Sequence, residues 1–138
     1  MKSVEHAVVG AVVSAAAAML LFPTSNGVAF GGLVAVGVLL SVFVDLDHFL
    51  IARAMVGDWR NLERAVTNPR VGLVEQEKVF ADLDEEGLVQ RRLLSHHLVG
   101  GALSLVLVLL GFWSLAAFVA VVLYAHVLCD YLRDIGYA

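Results

Sequence analysis

The chain has 138 residues, 60% of them hydrophobic and 16% charged, with a formal net charge of -4. That composition excludes an ordinary water-soluble globule and points to a single integral membrane domain over residues 1–138. The acidic balance gives no reason to expect nucleic-acid binding, and the one cysteine, Cys129, excludes an internal disulfide and reads as a small packing residue.

In chain order, residues 7–44 contain no Asp, Glu, Lys, Arg or His, and residues 98–125 contain none either. A spanning helix needs roughly 20 apolar residues, so each stretch is too long for one crossing. The run Pro23-Thr24-Ser25-Asn26-Gly27 divides the first by turn chemistry. It predicts helix 1 over 3–22 and helix 2 over 27–50. Gly111 and Ser114, around Phe112 and Trp113, divide the second and predict helix 3 over 92–110 and helix 4 over 114–133. The expected fold is all-α, an integral membrane four-helix bundle whose polar segment 51–91 forms a cytoplasmic helical loop between helices 2 and 3. A secretory signal peptide is the rival reading of the first apolar run, because Lys2 precedes it and residues 14–18 are small. The hairpin turn into a second apolar helix argues for a span instead.

Within 51–91, mixed charge and scattered apolar residues predict short amphipathic helices interrupted at Pro69, with one helical piece over 74–83 along the headgroups. Asp82, Asp84, Glu85 and Glu86 read as a solvated acidic face. Gly10, Ser14 and Ala18 in helix 1, and Gly27 and Gly31 in helix 2, recur at the spacing that close packing in lipid requires.

Four crossings return the chain to its starting side. They gather His6, then Asp45, Asp47 and His48, then His96 and His97, then His126 and Asp130 at one membrane face. All nine Lys and Arg residues fall on that side and the two opposite turns carry none. The positive-inside rule then places this face, with both termini, in the cytoplasm.

Asp45 and His48 are three apart and His126 and Asp130 four apart, so each pair projects from one helix face. The carboxylates sit at helix C-terminal ends, where partial negative charge makes them unfavourable without a nearby cation. A divalent ion answers that conflict, and so do Arg91, Arg92 or Arg133. Imidazole with carboxylate suits zinc ahead of manganese or iron, whereas calcium and magnesium prefer oxygen alone. His6, Asp45, His48, His96, His126 and Asp130 form the candidate metal set, with at most one of the adjacent His96 and His97 facing inward. So many donors exceed one ion's needs and allow two ions.

With the ligand-type residues in this order, Asp45-Leu46-Asp47-His48 ending helix 2, Arg92-x-x-Ser95-His96 opening helix 3 and His126-x-x-x-Asp130 ending helix 4, the chain resembles the YdjM-type family. These are small inner-membrane proteins described as LexA-binding and as metal-dependent hydrolases. The resemblance covers the helical frame of nearly the whole chain on short motifs. The family pattern reads Pro-Asp-x-Asp-His and His-Arg-Gly-x-Thr-His-Ser. Here Val44 replaces the proline, Arg91 the first histidine, Leu93 the glycine and His97 the final serine. The missing histidine removes one ligand of the pattern and leaves His97 as its substitute. The resemblance bears more on metal binding than on turnover.

The expected function is a membrane-bound, metal-dependent hydrolase acting on a lipid-linked or membrane-proximal ester or phosphoester. Asp47 is the candidate general base and Arg92 the candidate anion-binding partner. The alternative is a non-catalytic, metal-stabilised regulatory or scaffolding protein whose segment 51–92 contacts a soluble partner. Transport is disfavoured, because it expects ionisable groups near the bilayer midplane.

Overall fold

A computed structural model describes residues 3–73 and 75–137. Lys2, Val74 and the side chain of Glu85, named above, lie outside the described residues. Among the described residues the fold is all helical, and four helices are long and apolar enough to cross a bilayer. Val8, Leu20, Val28, Leu105 and Leu109 point outward, an arrangement suited to lipid as the surrounding solvent.

α1 (Ser3–Leu21) ends at the Pro23 turn, and the Asn26 side chain then accepts a hydrogen bond from the Ala29 amide at 2.9 Å, capping α2 (Gly27–Phe43). The expected uninterrupted helix to residue 50 is corrected. α2 stops at Phe43, a 3₁₀ turn occupies Val44–Leu46, and α3 runs from Asp47 to Val56. In a 3₁₀ turn residues three apart eclipse one another, which lines Asp45 up with His48.

α6 (Glu85–Leu109) begins well before residue 92, because Asp84 accepts from the Gly87 amide at 2.8 Å and caps it. Charge at the membrane edge does not end a helix; a cap begins one. At its other end Gly111 adopts φ 84°. Phe112 donates to the Leu107 carbonyl and Gly111 to that of Val108, both at 2.9 Å. This Schellman ending reverses the chain into α7 (Trp113–Asp134).

α7 packs on α1, α2 and α6. Its buried residues Phe118, Val122, His126 and Asp130 recur every fourth position, so one stripe is apolar along the span and turns polar at its C-terminal end. Ala17 and Ala18 of α1 close the apolar part of that core.

The α1–α2 contact uses small residues, but not all those expected. A Cβ on Gly37 would run into the Ser14 side chain, and one on Gly10 into that of Ser41, whereas at Gly27 and Gly31 it would meet open space. Gly37 is six residues beyond Gly31, or about 240° around the helix, so the two glycines belong to different faces.

Between α3 and α6 lie α4 (Arg60–Thr67) and α5 (Pro69–Leu73). Pro69 opens α5 instead of merely interrupting a helix, since the first turn needs no amide donor. The helical piece expected over 74–83 is absent among the described residues of that stretch, which form a 3₁₀ turn at Gln76–Lys78 and further turns. Buried Asn61 donates to the Val79 carbonyl at 2.7 Å and to Asp82 at 2.9 Å. Arg64 donates to the same carbonyl at 3.1 Å, so the acceptor that a continuing helix would use is already taken. Asp82 also pairs with Arg60 at 3.1 Å and Arg64 at 3.3 Å. Asp82 is therefore a tether and Asp84 a cap, and both lie on the exposed acidic face that was expected. This strap brings the Phe80 ring to 5.4 Å from that of Phe49 and 6.0 Å from that of His48.

Candidate metal centre

All four spans contribute to one buried polar cluster. α1 supplies His6, the 3₁₀ turn and the start of α3 supply Asp45 and His48, α6 supplies His96, and α7 supplies His126 and Asp130. These side chains form two ligand-like groups, His6 with Asp45, His126 and Asp130, and Asp45 with His48 and His96. Asp45 belongs to both.

In the first group His6 Nε2 stands 3.6 Å from Asp45 Oδ2 and 3.3 Å from Asp130 Oδ1. His126 Nε2 stands 3.3 Å from Asp45 Oδ1 and 3.4 Å from Asp130 Oδ2. In the second, Asp45 Oδ1 lies 3.4 Å from His48 Nε2 and 3.6 Å from His96 Nε2. Charge-assisted hydrogen bonds from an imidazolium to a carboxylate run about 2.7–2.9 Å, shorter than all of these. Ligands about 2.0 Å from one tetrahedral ion stand roughly 3.3 Å from each other. The spacing is that of atoms arranged around a common centre.

Two further observations agree. His6 Nε2, His48 Nε2, His126 Nε2 and Asp45 Oδ1 are buried without a hydrogen-bond partner, a condition that native interiors rarely tolerate unless an ion or water satisfies it. The His6 and His126 rings stack with centroids 3.9 Å apart. Two imidazolium charges at that separation would repel by about 4 kcal/mol at a surface-like dielectric, so the close stack is not one of two charged rings. The residues present therefore fit a divalent cation.

The family model described as YdjM inner membrane protein matches residues 1–138. The chain belongs to the YdjM inner membrane protein family. No curated protein and no solved structure matches it. Membership and the four apolar helices together make this YdjM-family chain a membrane protein.

The remaining candidates fall around the cluster. Asp47 is in neither ligand group. Its Oδ1 lies 3.2 Å from His96 Nε2 and 3.8 Å from His48 Nε2, and its Oδ2 accepts from the Ser95 hydroxyl. Arg92 donates to Asp134 at 2.6 Å, and its Nε lies 3.7 Å from Asp130 Oδ2. Its guanidinium thus faces the protein's own carboxylates and bears on a ligand-type residue. His97 is exposed and meets the Leu93 carbonyl at 2.6 Å, away from the cluster, whereas His96 is buried. Arg91 is exposed, and Arg133 pairs with Glu5 at 3.2 Å. Of the three arginines weighed as alternatives to a cation, only Arg92 has a recorded ion pair with a cluster residue.

Ser95 and Asp134 carry contacts that sequence reasoning did not assign. Asp134 follows Asp130 by four residues and so shares its helix face, a signal that was available. The Ser95 to Asp47 bond joins residues 48 positions apart and had no local signal.

Proposed function

We propose that this protein is a membrane-bound, metal-dependent hydrolase with two divalent sites bridged by Asp45, acting on a lipid-linked or membrane-proximal ester or phosphoester. The observation that carries this reading is the asymmetry of the two ligand groups. The first offers four donors, three of them on residues only 1% exposed. The second offers three, and its Asp45 and His48 side chains are 17% and 16% exposed. Structural zinc sites are closed by four protein ligands, whereas catalytic ones keep a position open beyond three.

A divalent ion in the open group would polarise the scissile oxygen and make water a stronger acid. Asp47, outside both groups and 3.2 Å from His96 Nε2, would take the proton that water gives up, with the Ser95 hydroxyl orienting its other oxygen. Water then adds to the acyl carbon or phosphorus, the ester C–O or P–O bond breaks, and the alcohol leaves with a proton. Arg92 holds Asp130 in place and balances its charge. Zinc leads the donor preference, followed by manganese and iron. The face bearing the centre is assigned to the cytoplasm by the basic residues around it.

The test is hydrolysis of a fluorogenic phospholipid by the purified full chain, with and without Asp47→Asn. Turnover that requires added zinc and falls by about 10²–10⁴-fold in the variant supports the proposal. A zinc-loaded wild type without turnover on ester or phosphoester lipids refutes it.

A metal-stabilised scaffold is the second reading, favoured by the completeness of the four-donor group. In that case segment 51–92 would face a soluble protein partner, and the metal would serve folding alone.

A further inference from the structure

A second feature adjoins the cluster inside the membrane. A cavity of about 360 Å³ is lined by Val36, Leu40, Val44, Val99, Leu103 and Leu123, among other apolar residues. That volume falls in the roughly 300–1,000 Å³ range of small-molecule sites. It exists because α2 packs on α1 and α7, and α6 on α7 and α3, without sustained packing of α2 against α6 along the spans. α7 forms the back wall through Leu123.

One end of the cavity lies within about one helical turn of the candidate centre. Val44 precedes Asp45 directly, Val99 follows His96 by three residues, and Leu123 precedes His126 by three. From Val44 to Val36 the helix descends about 12 Å, close to the roughly 15 Å from the hydrocarbon edge to the bilayer midplane. Val36, Leu39, Phe43, Val99 and Leu103 are all exposed, so the cavity is a groove open to lipid along much of its length.

We infer that this cavity is the binding site for one hydrocarbon chain of a lipid substrate, which enters sideways from the bilayer between α2 and α6. The tail lies along Val36, Leu40 and Leu103, and the ester or phosphoester at its polar end reaches Asp45, His48 and His96. A lipid tail is the occupant the position selects. The lining is apolar, the mouth opens where lipid is the solvent, and the polar end meets the three-donor group. A water-soluble substrate has no use for such a wall. The inference rests on the hydrolase reading and narrows its substrate class to lipids presented from within the leaflet.

The experiment uses the full chain in nanodiscs with a phospholipid carrying a diazirine on one acyl chain, and maps photolabelled residues by mass spectrometry. Labelling concentrated on Leu40, Val99 and Leu103, and several-fold weaker on the outward-facing Val8 and Leu20 of α1, supports the site. Leu103→Trp, which fills the cavity, should abolish the concentrated label while zinc content stays at the wild-type level. Val36→Trp, at the far end, provides a second block should the first not fold. Uniform labelling of all lipid-facing residues in a zinc-loaded protein overturns the tail site and leaves the hydrolase reading standing. Concentrated labelling in a protein that binds no zinc keeps the tail site as a lipid-binding groove and removes the hydrolase reading.

Discussion

His126 Nε2 stands 3.3 Å from Asp45 Oδ1, joining the fourth span to the end of the second through one imidazole and one carboxylate. Asp45 also lies 3.4 Å from His48, so a single side chain serves both ligand groups.

Asp45 is therefore the residue whose loss should cost most metal. Wild-type protein is expected to hold about two equivalents of zinc per chain by elemental analysis. Asp45→Ala should lose most of both, His48→Ala should keep about one, and His97→Ala should match wild type because its ring lies outside the cluster. Equal metal content in all four proteins would contradict the shared-ligand geometry.

Removal of metal should lower thermal stability. A ligand that binds only the folded chain stabilises it by about 2.7 kcal/mol at a hundredfold excess over Kd. Chelation should thus lower Tm, zinc should restore it, and magnesium should not, because the donor set contains imidazole. Ligating histidines must be neutral, so the zinc-dependent gain should fade on acidification through the imidazole range.

The α1–α2 crossing should respond to size at one glycine and not at another. Gly37→Leu forces new volume into Ser14 and into the neighbouring Phe118 ring, with an overpacking cost of about 1–3 kcal/mol. Gly31→Ala meets open space and should change stability by less than about 1 kcal/mol. Thermal denaturation in detergent distinguishes the two.

The strap between α3 and α6 should depend on Asp82 and on pH. Burial raises the Asp82 carboxyl, but the Asn61 hydrogen bond, its own backbone amide and the Arg64 and Arg60 charges outweigh it and hold the group below the usual carboxylate range. A lowered folded value means the contribution is complete above about pH 4, where an unfolded Asp is ionised, and is lost as pH falls through the folded value. The protection of amides at residues 76–83, measured as exchange relative to the intrinsic rate at each pH, should fall in acid. Asn61→Ala should produce the same loosening at neutral pH, since it removes the bonds to the Val79 carbonyl and to Asp82 and leaves Arg64 as the remaining donor to that carbonyl.

Orientation is open to direct labelling. In Cys129→Ser protein, a cysteine placed at Thr24 should react with an impermeant thiol reagent from outside the cell, and one at Asp58 only after permeabilisation. The reverse pattern would put the centre on the other face.

Much of the frame is legible from where charge is missing. The gap over residues 7–44, broken by Pro23 to Gly27, locates two spans, and an even number of crossings brings His6, Asp45, His96 and His126 to one end. The 3₁₀ turn at Val44–Leu46 is not legible, because no glycine or proline marks it. The start of α6 is missed because Arg92 looks like a membrane boundary, while the true signal is the Asp84 cap. The strap depends on bonds between residues 18 and 21 apart, which local propensity does not encode. The apolar cavity between α2 and α6 arises from which helix pairs fail to pack, a property of the assembled bundle.

The wide separation of His6 and Asp130 along the chain has a consequence for biogenesis. Synthesis delivers the first span's imidazole to the bilayer long before the carboxylate that stands 3.3 Å from it. A polypeptide halted after its third crossing would expose orphaned polar groups at that membrane face, a signature for membrane proteases. The same cluster would then report, to the cell, that the last crossing has been made.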